Sequence, residues 1–172
     1  CALQSASYYE LRCLTGSHTL NSKTVYEGSA GVTKQTWYEI TALETSISVD
    51  PDQTEQLATL SFPIGFQKLL SKTYGLFRAP RTGEYKFYIV SDDDAQVFLS
   101  SDSSPENKKE IIFYEGSVQP LEYLIVPKTV SSPIKLTAGE AYYLEIWHCN
   151  HGSISLFTMG VEIPGEGKFA RN

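Results

Sequence analysis

The chain has 172 residues, 41% of them hydrophobic, 20% charged and 12% aromatic, with a formal net charge of −6. That length supports one domain with its own core, and the composition excludes a disordered chain. Acids outnumber bases 20 to 14, which argues against a nucleic-acid binder, because such a surface needs a basic stripe to displace counterions.

The chain opens at Cys1 without a Met, in mid-pattern, and reads as a piece of something larger. Residues 1–27 form a lead-in, with an alternating Tyr8–Leu14 run broken at Gly16, Ser17 and Asn21. Residues 32–43 read as a strand with Val32, Trp37, Ile40 and Leu43 as its apolar positions. Asp50-Pro51-Asp52 signals a turn, and residues 53–60 are expected to form one short helix. Thr73–Ala79 is a predicted strand, and Pro80-Arg81-Thr82-Gly83 is a turn. Glu84–Val90 follows with Tyr85, Phe87 and Ile89 on one face. Asp92-Asp93-Asp94 makes a tight acidic turn into a strand beginning at Gln96, so residues 73–100 read as an antiparallel meander. Residues 101–109 are a solvated loop, and Ile111–Tyr114 and Pro120–Val130 are predicted strands. Ile134-Lys135-Leu136, a turn at Ala138-Gly139-Glu140 and the alternating Ala141–His148 come next. His148–Ser153 reads as a loop, Ser155–Ile163 as the last strand and the Gly-rich end as a loose tail. Short strands separated by turns every 8–12 residues or so point to an all-β antiparallel sandwich or closed barrel.

No apolar run approaches the roughly 20 residues of a membrane helix, so no direct membrane insertion is expected. Cys1, Cys13 and Cys149 are an odd set, and Cys1–Cys13, Cys1–Cys149 and Cys13–Cys149 pairings are equally open. The adjacent carboxylates of Asp92 and Asp93 suit a hard cation such as Ca²⁺, which takes oxygen ligands. The competing reading is a charged hairpin turn whose Asp side chains cap backbone amides. His148 and His151 flank Cys149 and suggest a transition-metal site, but the reading as ordinary loop histidines is favoured, since three such ligands within four residues rarely close one metal. Trp147, Tyr142 and Tyr143 offer rings for a sugar, although alternation favours core for any one of them. Enzyme motifs are missing: no G-x-S-x-G, no H-E-x-x-H, no phosphate loop, and no second acid placed across a cleft for glycoside hydrolysis.

Several spaced features coincide. Gly75-Leu76-Phe77-Arg78-Ala79-Pro80 precedes Thr82-Gly83-Glu84-Tyr85-Lys86-Phe87-Tyr88, then Ser91-Asp92-Asp93, and later Ile134-Lys135-Leu136-x-Ala138-Gly139-Glu140 leads into Tyr142–Ile146. This pattern resembles the PA-fourteen domain, the module named after anthrax protective antigen. Trp37–Ile40 extends the resemblance back to about residue 28, and Met159–Pro164 looks like its fibrocystin-like branch, in which the module follows a TIG-like domain.

The resemblance implies an all-β, lectin-like sandwich or barrel over residues 28–164, with 1–27 as the end of a preceding TIG-like domain and 165–172 as the tail. It implies an extracellular or cell-surface module that is not an enzyme. In the family's adhesins, two neighbouring Asp joined by a cis peptide hold calcium, a loop Asn completes the protein ligands, and sugar hydroxyls meet the ion. Carried over, Asp92, Asp93 and Asn150 are the expected calcium ligands. His148, His151, Gly152, Ser153 and Asp94 are the expected ligand-side residues. Asp94 stands where the family usually has Gly, which could move the ligating pair to Asp93-Asp94. The expected function is calcium-dependent binding of a glycan or cell-surface glycoprotein. Its rival is a structural or protein-interaction module, packed against neighbouring domains of the parent chain, with a vestigial site. A weaker third reading is an enzyme's accessory domain.

Overall fold

The computed structural model describes residues 31–57, 60–65, 67–116, 127–152 and 155–165. The lead-in 1–27 with Cys1 and Cys13, the tail beyond 165, residues 120–126 and Ser153 lie outside them. Ten strands are described: β1 (Val32–Tyr38), β2 (Gln53–Leu57), β3 (Ser61–Gly65), β4 (Leu69–Arg78), β5 (Gly83–Asp92), β6 (Asp94–Ser100), β7 (Lys108–Tyr114), β8 (Ile134–Leu136), β9 (Ala141–Asn150) and β10 (Ser155–Glu162). They form a six-stranded sheet, β2-β1-β4-β9-β6-β7, and a four-stranded sheet, β3-β10-β5-β8. The pairings are antiparallel.

The period-2 alternation of the strands explains the core. Tyr85, Phe87 and Ile89 of β5 point inward, with Met159 and Phe157 beside them on β10. Ala95, Val97 and Leu99 of β6 meet them from the other sheet, as do Tyr142, Leu144 and Ile146 of β9. Phe77 stands edge-on to Tyr85 and Phe87, at centroid distances of 5.8 and 5.4 Å, the arrangement aromatic quadrupoles favour. Gly83 has φ +153°, and a Cβ there would lie 2.7 Å from the Pro164 ring, so this turn admits only glycine.

A second, smaller apolar cluster lies on the outer face of the six-stranded sheet. Trp37 and Trp147 stack at 6.0 Å with an interplanar angle of 16°. Leu70 and Cys149 complete its buried part, and Ile40, Leu43 and Ile47 from the segment after β1 pack over it. That segment is tied down by the Trp37 indole N–H, which donates to Val49 O at 2.9 Å, and by the Tyr38 N–H, which donates to Asp52 Oδ2 at 2.8 Å.

Four expectations change. Residues 53–57 are strand rather than helix, because their Gln-Thr-Glu-Gln-Leu run pairs along β1 (Val32↔Leu57 to Thr36↔Gln53) and has no apolar helical stripe to bury. β1 stops at Tyr38, where Glu39 takes a left-handed φ of 61°, freeing Ile40 and Leu43 to cover the tryptophans. The meander over 73–100 is absent: β4, β5 and β6 lie in alternate sheets, so β5 pairs with neither β4 nor β6. Each is inward-facing on one side and needs the opposite sheet as its cover. Pro127–Thr129 is a 3-10 turn and Val130 makes a single bridge to Tyr88, since proline cannot donate to a ladder.

Candidate calcium and ligand site at the acidic crossover

Asp92 closes β5 in one sheet and Asp94 opens β6 in the other. The acidic run is therefore a crossover between sheets and not a hairpin. The Asp92–Asp93 peptide bond is cis, as the resemblance implies. β6 enters beside the end of β9 in the register Asp94↔Cys149, and the Asp93 N–H donates to Cys149 O at 3.3 Å. These two contacts bring the acids to the same end of the sandwich as Asn150 and the loop after it.

β9 runs through Asn150, so His148, Cys149 and Asn150 belong to a strand and not to the loop expected for them. Alternation then sends Cys149 to the outer cluster and turns His148 to the inside, where its ring lies 5.6 Å from that of Phe157. His148 is 2% exposed. Its Nε2–H donates to Asp92 O at 3.0 Å, a partner that requires this tautomer. Burial pushes the imidazole down to about 4, outweighing the pull of that carbonyl and of Asp93 and Asp94. His148 thus carries the turn from beneath as a neutral donor. Cys149 is a buried free thiol, raised to about 12 by burial and by the charges of Asp94 and Asp93.

Asn150 is fully buried, and its Nδ2 donates to Gln67 O at 2.7 Å, which fixes the other end of the amide as the acceptor. The His151 N–H donates to Asp93 Oδ2 at 2.8 Å. The His151 ring is half exposed, with Nδ1 3.7 Å from Asp93 Oδ2 and Nε2 3.1 Å from Asp94 Oδ2. Asp94 also accepts the Gly116 N–H at 2.8 Å, so its carboxylate is committed to the neighbouring loop. Gly152 has φ +105°, and a Cβ there would press on the Lys68 stem at 2.9 Å. Gln67, Lys68 and Gly116 carry no motif, and only their place in space gives them a part.

Asp92, Asp93 and Asn150 thus lie at one end of the sandwich, and their side chains carry oxygen donors of the kind Ca²⁺ takes. Among the described residues, no group of three or more His, Cys, Asp and Glu side chains is arranged to hold a metal ion. The transition-metal reading of His148, Cys149 and His151 fails because alternation turns His148 and Cys149 to opposite faces of the sheet.

Spacing, fold and a cis-linked acidic crossover agree with one family, and the PA14 domain model matches residues 28–170. The chain belongs to the PA14 domain family. Human Fibrocystin-L is 23% identical over 155 residues, covering 85% of this chain and 4% of its own length, so the chain spans a small fraction of that relative. Among solved structures, the PA14 domain of the antifreeze protein MpAFP superposes with a TM-score of 0.60 at 11% identity, covering 87% of this chain and 90% of that one. The epithelial adhesin 9 A domain from Candida glabrata, solved in complex with Galb1-4GlcNAc, gives a TM-score of 0.59 at 12% identity over 81% of this chain and 84% of that domain. At such identities the likeness establishes the PA14 fold. No helix among the described residues is long and apolar enough to cross a membrane.

Proposed function

We propose that this PA14 domain is an extracellular or cell-surface binding module that holds a calcium ion at the crossover and binds a glycan there. One observation carries the reading. The Asp94↔Cys149 register and the Asp93 N–H bond to Cys149 O bring the Asp92-Asp93 carboxylates and the Asn150 amide to one end of the sandwich. Asp92, Asp93 and Asn150 would hold the ion. Calcium bound there supplies positive charge to which sugar hydroxyls can coordinate. The chain's own residues do the rest: His148 fixes the Asp92 carbonyl, Gln67 orients Asn150, and His151 and Gly152 follow directly after it. The glycan-bound adhesin among the structural relatives supports a sugar as partner.

Titration of calcium into chelator-treated protein by calorimetry tests this, with Asp93→Asn alongside. Heat that the variant abolishes supports the site. Absence of heat, with no change in melting temperature at millimolar calcium, refutes it.

His151 favours a second reading. Its ring already engages Asp93 and Asp94, an internal partner for the acids, which suits a metal-free interaction module within a multidomain chain. Retained binding of a partner protein in excess chelator would support it.

A further inference from the structure

The segment after β1 covers only part of the outer face of the six-stranded sheet. Farther along the same face, on β4, β9, β6 and the start of β7, lies a group of side chains that the crossover site does not use. At its centre is Glu145, 1% exposed. Lys108 Nζ lies 2.5 Å from its Oε1, and Lys72 Nζ 3.3 Å from its Oε2. The Tyr143 hydroxyl donates to Oε2 at 2.7 Å and the Trp147 indole N–H to Oε1 at 2.8 Å. One buried carboxylate therefore anchors two ammonium groups, one on each oxygen. Both lysines remain about a quarter to a third exposed.

The rings of this face are set beside the charges. Tyr74 pairs with Glu145 across β4 and β9, and Leu76 with Tyr143. The Tyr74 and Tyr143 rings are 6.5 Å apart and tilted by 36°. Lys72 Nζ stands 5.3 Å from the centroids of Tyr74 and Trp147, and Lys108 Nζ 5.2 Å from that of Phe98. Leu76 is 58% exposed beside them. Around Glu145 the charged groups are Lys72 and Lys108; Glu110, beyond Phe98, is engaged by Gln96 Nε2.

We propose that this face is a second saccharide-binding surface, selective for an acidic sugar chain, built on Tyr74, Tyr143, Lys72 and Lys108 over the Glu145 carboxylate. Each ammonium has three donors and spends only part of them on Glu145, which leaves N–H groups for a carboxylate or sulfate on the ligand. Glu145 and the ring contacts hold both lysines before any ligand arrives, so less side-chain freedom is lost on binding. The tyrosine rings and Leu76 offer apolar surface to the C–H face of a pyranose. Along β9, Tyr143 lies seven residues from Asn150, and Trp147, the register partner of Lys72, lies three from it, about 23 and 10 Å at strand rise, so the tyrosine end of this surface is separate from the crossover.

The test is titration of a heparin-derived hexasaccharide into the protein in excess chelator, at low and at high salt, with a neutral hexasaccharide and a glutamate hexapeptide as controls. Lys72→Gln, Lys108→Gln and Tyr74→Ala are compared with wild type, and their melting temperatures are recorded. The acidic hexasaccharide is expected to bind without calcium, to weaken as salt rises, and to lose roughly tenfold in affinity with each ammonium removed. Tyr74→Ala, which leaves the ion network in place, is expected to weaken binding while melting near wild type. Asp93→Asn is expected to bind as wild type does, which separates this surface from the crossover site. No binding, binding unchanged in both lysine variants, or equal binding of the neutral sugar would overturn the proposal. So would binding that requires calcium. Equal binding of the glutamate peptide would reassign the face to a protein partner.

Discussion

Replacing Glu145 with Ala removes the acceptor shared by four donors, and the structure sets the cost of each loss. Lys72 and Lys108 are partly exposed and can turn to water, so their share is small. The Trp147 indole N–H cannot, since Trp147 is 2% exposed and stacked under Trp37. Leaving that N–H unsatisfied costs about 1–3 kcal/mol, and the lost Tyr143 bond adds roughly 1 kcal/mol. The expected loss is about 2–4 kcal/mol, or some 5–12 °C in melting temperature for a domain of this size. Urea unfolding followed by tryptophan fluorescence is the natural assay, because both tryptophans of the chain sit in the affected cluster. Glu145→Gln, which keeps an acceptor oxygen for Trp147, should lose about half as much. The acid limb gives a second reading of the same group. Burial alone would raise the Glu145 carboxyl. The bonds from Lys108, Tyr143 and Trp147 and the charge of Lys72 outweigh it and hold the carboxyl below its ordinary value. Stability from this group is therefore present above the unfolded-state value of about 4.3 and is lost as pH falls through the depressed folded one. Glu145→Gln should flatten that limb. A Glu145→Ala domain within about 0.5 kcal/mol of wild type, with an unchanged acid limb, would refute the network.

Trp37→Ala should cost about 3–5 kcal/mol by opening a cavity beside Trp147. It should also raise amide exchange across residues 40–49, whose apolar side chains rest on that ring; exchange confined to the site of substitution would argue against this anchoring. Cys149, fully buried and raised to about 12, should resist alkylation in the native protein at pH 8 and react once urea unfolds it. Mass spectrometry after a short pulse distinguishes the two, and rapid native labelling would show that the thiol is not held as described.

The strand content was legible because alternation is local. Tyr85, Phe87 and Ile89, and the Tyr142–Ile146 run, announce a half-buried strand within five residues. The Gly83 turn and the acidic pair were equally plain, since glycine and adjacent carboxylates are rare enough to stand out. The side on which each strand finds its partner was not legible. β5 and β6 look like a hairpin when only their linker is read, and their separation into two sheets depends on β8, β9 and β10, up to about 70 residues away. The alternation of Ala141–His148 gives no sign that the strand runs on past His148, whereas β9 continues by pairing with Leu69 and Leu70. Glu145 carried a signal that went unread: an acid between Leu144 and Ile146 in an aromatic strand needs partners. Lys72 and Lys108 lie 73 and 37 positions away, where no local pattern reaches.

The crossover also decides how the domain bears force. Asp93 joins β5, which lies between β10 and β8, to β6, which lies between β9 and β7. Neither strand is an edge that could be peeled off one rung at a time. A pull on Asp93 along the strand axes would be shared between two sheets and would load the ladders on both sides of each strand in shear, so that many hydrogen bonds must yield together. A tether fastened at this point would be resisted by the whole sandwich, while the loops around it remain free to change.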